Sequence, residues 1–261
     1  MTPEKIQHYG DALYAALVDR ASIAPLTETE PEITINDAYR IQLRMIERRL
    51  AATNETVIGK KIGVTSQVVM DMLKVNQPDF GHLTSGMVFG DGAVIAADSM
   101  IAPKAEGEIA FVLKHDLVGP GITNADVLRA TEYVLPCFEI VDSRIRDWKI
   151  RIQDTVADNA SSGVFVMGDA AADPRKLDLS LVGMTLEKNG EVVSTGAGAA
   201  ALGHPLNAVT WLANTLGELG IGLRAGEVIL SGSLAAMVPV KANDNLRVSL
   251  GGIGSVGVRF I

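Results

Sequence analysis

The sequence predicts an α+β fold in a single domain over 1–261, with a mainly helical N-terminal region over 1–90 and a β-rich body over 91–261. Three observations predict it. Apolar residues near the start recur at helical three- and four-residue spacing. From Val88 onward, short β-branched runs punctuated by glycine take over. These strands do not alternate regularly with helices, which argues against a Rossmann or barrel plan.

Taken in order, Ile6, Leu13 and Leu17 fall on one stripe of a first helix. Ile23 to Glu32 is a Pro/Thr/Glu-rich connection. Tyr39, Leu43, Ile46 and Leu50 mark a second helix, capped by Asn36 or Asp37. A short third helix starts at Thr65-Ser66 and runs through Val69, Met70 and Leu73. Ile109 to Leu113 and Tyr133 to Phe138 are β-forming runs. Between them, Thr123-Asn124-Ala125-Asp126 is a capping box opening a helix toward Tyr133. Lys188-Asn189-Gly190-Glu191 predicts a type I′ hairpin, because Asn-Gly tolerates two positive φ values. Pro205 to Leu216 is a further helix; Glu227–Ser231, Asn245–Leu250 and Val256–Ile261 are later strands.

Composition excludes several function classes. With 48% hydrophobic and 21% charged residues the chain is ordinary globular material, not disordered. A net charge of −8 and no Lys/Arg run with interleaved aromatics argue against nucleic acid. Arg44, Arg48 and Arg49 sit with Glu47 on a helix and are expected to solvate its face. The single cysteine, Cys137, lies among apolar residues and is expected to be a buried small hydrophobe. No export pattern and no apolar run of the ~18 residues needed to span a bilayer is present, so a cytoplasmic, membrane-free protein is expected. Walker, G-x-G-x-x-G, G-x-S-x-G and HExxH motifs are all missing.

The chemistry concentrates in carboxylates. Glu106 and Glu108 are two apart at the start of a β-forming run, so an extended backbone projects both from one face. Glu139 follows a second such run, and a neighbouring strand could bring it to the same point. A solvated strand face is the plain alternative for an isolated Glu-x-Glu. The apolar setting favours convergence, and like charges about 4 Å apart repel by roughly 4 kcal/mol at an effective dielectric of ~20, so a converged trio needs a metal or shared protons. Three carboxylates without histidine or cysteine point to Mg²⁺ or Mn²⁺ rather than zinc.

Several segments together carry a resemblance: Ile58-Gly59-Lys60-Lys61-Ile62-Gly63-Val64-Thr65-Ser66, Gln77-Pro78-Asp79-Phe80-Gly81, Glu106-Gly107-Glu108-Ile109-Ala110-Phe111, Glu139-Ile140-Val141-Asp142-Ser143-Arg144, Ala157-Asp158-Asn159-Ala160-Ser161 and Ser231-Gly232-Ser233. Across essentially the whole chain, the sequence resembles the hydratase/decarboxylase family of the fumarylacetoacetase-like superfamily, on its 2-oxopent-4-enoate hydratase side. The resemblance implies a mixed β-roll core of the fumarylacetoacetase C-terminal type, a divalent metal on Glu106, Glu108 and Glu139, and a homo-oligomer. It also makes a complex with a sister decarboxylase or a downstream aldolase plausible. The implied reaction adds water to 2-hydroxypenta-2,4-dienoate, giving 4-hydroxy-2-oxopentanoate, in meta-cleavage degradation of aromatic compounds.

The same resemblance assigns acid/base work to Asp79, whose setting between Pro78 and Phe80 could raise its pKa by desolvation. A turn-forming Asp after Pro is the alternative. Lys61 is suited to the substrate carboxylate or the enolate, with Lys60 as its rival. On a strand the two point to opposite faces, and the resemblance favours Lys61. Ser161 and Ser233 are candidate substrate-binding hydroxyls, and His82 could line the pocket. Competing readings are 2-oxo-3-hexenedioate decarboxylase, a C–C bond hydrolase, which would need a histidine base not found in a matching motif, and a metal-dependent oxo-acid-binding protein without turnover.

Overall fold

The computed structural model describes residues 1–261. The chain runs α1 (Pro3–Asp19), α2 (Leu26–Thr29), α3 (Ile35–Ala52), β1 (Val57–Gly63), α4 (Gln67–Leu73), β2 (Asp79–Thr84), β3 (Val88–Gly90), β4 (Ala93–Ile95) and β5 (Lys104–Leu113). It continues through α5 (Asn124–Ala130), β6 (Thr131–Val141), α6 (Ile152–Ala157), β7 (Ser162–Met167), β8 (Gly183–Lys188), β9 (Glu191–Ala197), α7 (Pro205–Glu218), β10 (Val228–Leu230), β11 (Val238–Pro239), β12 (Asn245–Leu250) and β13 (Gly254–Phe260).

Local chemistry accounts for the helix ends. Thr2, Thr34, Ser66 and Thr123 each accept a backbone N–H of the first turn, and Asp37 and Asp126 complete capping boxes. The cap of α3 is therefore Thr34, not Asn36 or Asp37: Asp37 is the returning acid of the box. The expected stripe on α3 is also corrected. Leu43 is 50% exposed, while Ala38, Ile41, Gln42 and Met45 face inward against α1 and α6. The connection after α1 holds the short helix α2. α5 stops at Ala130 instead of running to Tyr133, because Thr131 to Tyr133 already pair with β5. The predicted hairpin is present, with φ 56° at Asn189 and 88° at Gly190.

Two sheets build the body. The larger runs β2-β1-β10-β5-β6-β7-β3 with β11 beside β5; it is mixed, since β1–β10 and β3–β7 are parallel and the other pairs antiparallel. The smaller runs β4-β13-β12-β8-β9. Helices dominate 1–90, yet β1, β2 and β3 lie there too and belong to the large sheet, so residue 90 does not divide helical from sheet structure.

Strand alternation sorts the large sheet into two faces. One presents Ile62, Ile109, Phe111, Phe138 and Ile229 to a 36-residue core shared with the second sheet and α7. The other presents Leu83, Ala110, Leu135, Cys137, Phe165 and Leu230, which form a smaller cluster. The polar residues of the site lie on this second face. Cys137 is fully buried there, as expected. α1, α3 and α6 form a third cluster. No helix of the chain is long and apolar enough to cross a membrane.

Candidate active site

Glu106 and Glu108 project from β5 and Glu139 from β6, with Glu106 and Glu139 directly paired in the antiparallel register. One carboxylate oxygen from each lies within 4.8 Å of the others. At that separation each ionised pair repels by about 3 kcal/mol at an effective dielectric of ~20. Glu108 and Glu139 are buried, and Glu106 stands at the cavity wall. The Gly232 amide donates to Glu108 Oε2 at 2.7 Å, while Glu108 Oε1 and both oxygens of Glu139 have no hydrogen-bond partner. Buried carboxylate oxygens left without donors need a cation or a proton. Desolvation and the Glu139 charge push Glu106 up to about 7, and the same two causes carry Glu108 well above the carboxylate range. The oxygen-only donor set, the convergence and the orphaned lone pairs fit a hard divalent cation.

The fully buried ammonium at this cluster is Lys61, with Lys104, at the start of β5, acting on Glu106 from further out. The Lys61 Nζ lies 3.3 Å from Glu139 Oε2 and donates to the Ala160 carbonyl at 2.9 Å. Burial works to lower its pKa, but Glu139, Asp79, Glu106 and Glu108 outweigh that, so it stays charged. Lys60 points to the other face, 3.4 Å from Glu227, and does not line the cavity. The structure therefore places the two lysines on opposite faces, and of the two Lys61 lines this cavity. His82, opposite Lys60 in the β1–β2 register, faces away as well. Its Nδ1 is 3.0 Å from Gln42 Oε1, and burial with the Lys60 charge drops it to about 3, so it is a neutral structural histidine.

Asp79 opens β2 opposite Gly63, on the face that carries Lys61. It is not a turn residue: it is 2% exposed, and neither carboxylate oxygen has a hydrogen-bond partner. Burial raises it to about 6, with Lys61 opposing and Glu139 assisting the rise. Gly63 permits this placement, since a Cβ there would collide with Asp79 Oδ1.

Residues 159–161 take three successive left-handed conformations, with φ of 54°, 51° and 53° at Asn159, Ala160 and Ser161. Such backbone costs roughly 1–3 kcal/mol per non-glycine residue and persists only where its surroundings hold it. Here the turn aims the Ala160 carbonyl at Lys61 and brings Ser161 into the cavity wall. Asn159 anchors it by pairing with both backbone groups of His82, at 2.7 and 2.9 Å. Asp158 anchors it from below through a buried ion pair with Arg144, which also donates to the carbonyls of Asp142, Asp158 and Ser162. Asp142 in turn accepts the amides of Ile101 and Ala102. Sequence reasoning gave these residues no role of their own; the signal was two charged motifs, Asp142-Ser143-Arg144 and Asp158-Asn159, in apolar surroundings.

The cavity beside the cluster encloses about 440 Å³ and is lined by Lys61, Asp79, Glu106, Ser161 and Ser233 on its polar side. Ser161 Oγ is 3.3 Å from Thr155 Oγ1, and Ser233 Oγ donates to the Ala235 carbonyl at 2.7 Å. Val64, Val68, Val69, Met72, Trp148, Ile150 and Met237 form the apolar wall. The fumarylacetoacetate hydrolase C-terminal family model matches residues 56–261. The chain belongs to the fumarylacetoacetate hydrolase family. Within that family it is similar to the 2-hydroxyhexa-2,4-dienoate hydratase of Comamonas testosteroni, 57% identical over 98% of this chain and 97% of that one. It is also similar to the 2-hydroxypent-2,4-dienoate hydratase of Pseudomonas putida, 64% identical over 83% of this chain and 97% of that protein. Among solved members, 4-oxalocrotonate decarboxylase from Pseudomonas putida G7, complexed with magnesium and adipate, superimposes with a TM-score of 0.96 at 41% identity, covering 100% of this chain and 99% of that one. The β-roll expected of a fumarylacetoacetate hydrolase fold is thus present, and its carboxylate cluster suits the divalent metal that the solved member carries.

Proposed function

We propose that this chain is a hydro-lyase that uses a divalent metal, Mg²⁺ or Mn²⁺, to add water to 2-hydroxypenta-2,4-dienoate and give 4-hydroxy-2-oxopentanoate in meta-cleavage degradation of aromatic compounds. The hydratase relatives support the reaction class. The observation that carries the mechanism is Asp79: a buried carboxylate with no protein partner, held near 6, on the wall of the cavity that also exposes Lys61 and Glu106.

Glu106, Glu108 and Glu139 would hold the cation. When bound, it supplies Lewis acidity to the carboxylate and 2-oxygen of a 2-oxo acid. Lys61 places a fixed positive charge beside that end of the substrate and stabilises negative charge developing on the 2-oxygen. The dienol gives up its 2-hydroxyl proton and gains one at C5, leaving a C3=C4 double bond conjugated to the 2-oxo group. Asp79 then accepts a proton from water as its oxygen bonds to C4, and C3 gains a proton to complete the addition. At about 6, the Asp79 carboxyl is mostly ionised at neutral pH and still basic enough for this step. Ser161 and Ser233 present hydroxyls to the substrate oxygens, and the apolar wall receives the hydrocarbon end.

The same wall argues against a dicarboxylate. Lys61 is the one cationic side chain lining the cavity, so the distal carboxylate of 2-oxo-3-hexenedioate would meet Val68, Met72 or Met237 instead of a counter-charge. A cytoplasmic homo-oligomer, with contacts to a decarboxylase or an aldolase of the same route, belongs to this proposal and is open to light scattering and co-purification. The deciding assay combines protein, Mg²⁺ or Mn²⁺ and freshly generated 2-hydroxypenta-2,4-dienoate in H₂¹⁸O. Label at C4 with no carbon lost supports the hydratase; CO₂ release from 2-oxo-3-hexenedioate at a comparable rate favours the decarboxylase.

A further inference from the structure

Asp79 separates two cavities. On one side is the 440 Å³ space holding Lys61 and Glu106; on the other is a second space of about 470 Å³, between the start of α3, α6 and residues 74–78. Asp79 is the single residue common to both linings. The second space reaches the surface at Lys74, Asn76 and Gln77, which are exposed, and ends inward at the buried Pro78, Asp79 and Val156. It has room for many waters, at roughly 30 Å³ each. It also offers them polar partners in the Asn76 and Gln77 amides, the Lys74 ammonium and the Tyr39 hydroxyl. Tyr39 is fixed by stacking on Phe80, with ring centroids 4.5 Å apart.

One further observation, together with the proposed reaction, points to water at the inner end. Neither oxygen of Asp79 finds a partner in the protein, although the residue is almost completely buried. A buried carboxylate in that condition is completed by ordered water. The reaction also consumes one water per turnover, while a substrate seated on the metal side fills the space through which solvent would otherwise arrive. We infer that the second cavity is the water-supply route of the hydration step, delivering the attacking water to Asp79 from the side away from the substrate. The atoms balance: the delivered water gives hydroxyl to C4 and a proton to Asp79, Asp79 releases that proton to solvent as C3 gains one, and a new water refills the inner position.

This inference rests on the hydratase reading, and the test keeps the two apart. Ile35→Trp narrows the cavity from the α3 side, Asn76→Trp blocks its exposed rim, and Ile35→Ala leaves it open. Each metal-loaded variant is assayed for ketonisation of the dienol and for ¹⁸O uptake at C4. The expected result is a fall of about 10-fold or more in the hydration rate of both Trp variants, inside the ~10²–10⁴ that a general base contributes. KM and ketonisation stay unchanged, and Ile35→Ala keeps the wild-type rate. Wild-type hydration in both Trp variants overturns the inference, as does an equal loss in Ile35→Ala and Ile35→Trp, which marks a structural role. If Ile35→Trp does not fold, Asn76→Trp alone decides. Absence of hydration by the wild-type protein would instead remove the hydratase reading itself.

Discussion

Lys61 Nζ lies 3.3 Å from Glu139 Oε2, with both side chains almost wholly buried. That pair joins β1 to β6, and the one Lys61 ammonium faces all four of Glu106, Glu108, Glu139 and Asp79. With all four acids ionised the local charge is −3 (four negative, one positive), and a divalent cation brings it to −1. The site is therefore charge-frustrated alone and relaxed by the metal its geometry suits.

The two adjacent lysines should part company on substitution. Lys61→Met removes the buried counter-charge paired with Glu139 and should cost about 3–5 kcal/mol of metal-free stability, the usual penalty for stranding one half of a buried pair, together with most turnover. Lys60→Met disturbs only Glu227 and His82 on the opposite face and should keep kcat near wild type. Chemical denaturation and steady-state kinetics on both variants check this; a larger kcat loss in Lys60→Met would reverse the assignment.

Glu108→Gln deletes one of the three carboxylates proposed to hold the cation, the one whose Oε2 accepts the Gly232 amide. Metal affinity should fall strongly, so that activity is recovered only at much higher Mg²⁺ or Mn²⁺. Calorimetric metal titration reads the shift directly, and full activity in chelator-treated wild type would sink the metal assignment.

Asp79→Asn should lower hydration by ~10²–10⁴ and leave metal affinity nearly intact, with an α,β-unsaturated 2-oxo acid accumulating. The wild-type rate should fall as pH drops through about 6, because the base is then protonated, and the variant should lose that acid limb. A pH profile of kcat/KM for both proteins is the measurement.

Metal removal should make stability pH-dependent in an unusual direction. Glu106 at about 7 and Asp79 at about 6 lie above their unfolded values, so the folded chain binds more protons than the unfolded one between roughly pH 4 and 7. Their contribution is complete below the unfolded pKa values and is lost as pH rises through the folded ones. The Tm of chelated protein should therefore fall from pH 5 to pH 7.5, while saturating metal flattens the curve. A Tm of chelated protein that rises over this range would contradict the charge distribution described here.

The sequence by itself determined the features that depend on neighbours along the chain. Glu106 and Glu108 share a face because strand residues alternate with period two, Thr123 and Asp126 close a box one turn apart, and Asn189-Gly190 carries its own turn. The family resemblance then supplied the assignments of Asp79 and Lys61. Tertiary structure decided what depends on partners far away. Strand parity put Lys60 and Lys61 on opposite faces, but only pairing with β2 and β10 showed which face is the interior. Leu43 fits a helical stripe, yet the docking of α1 and α6 against α3 left it in solvent. The Arg144–Asp158 pair, the left-handed turn at 159–161 and the second cavity behind Asp79 arise where segments distant in sequence meet, and burial of charge there is a property of the closed roll, which no local pattern encodes.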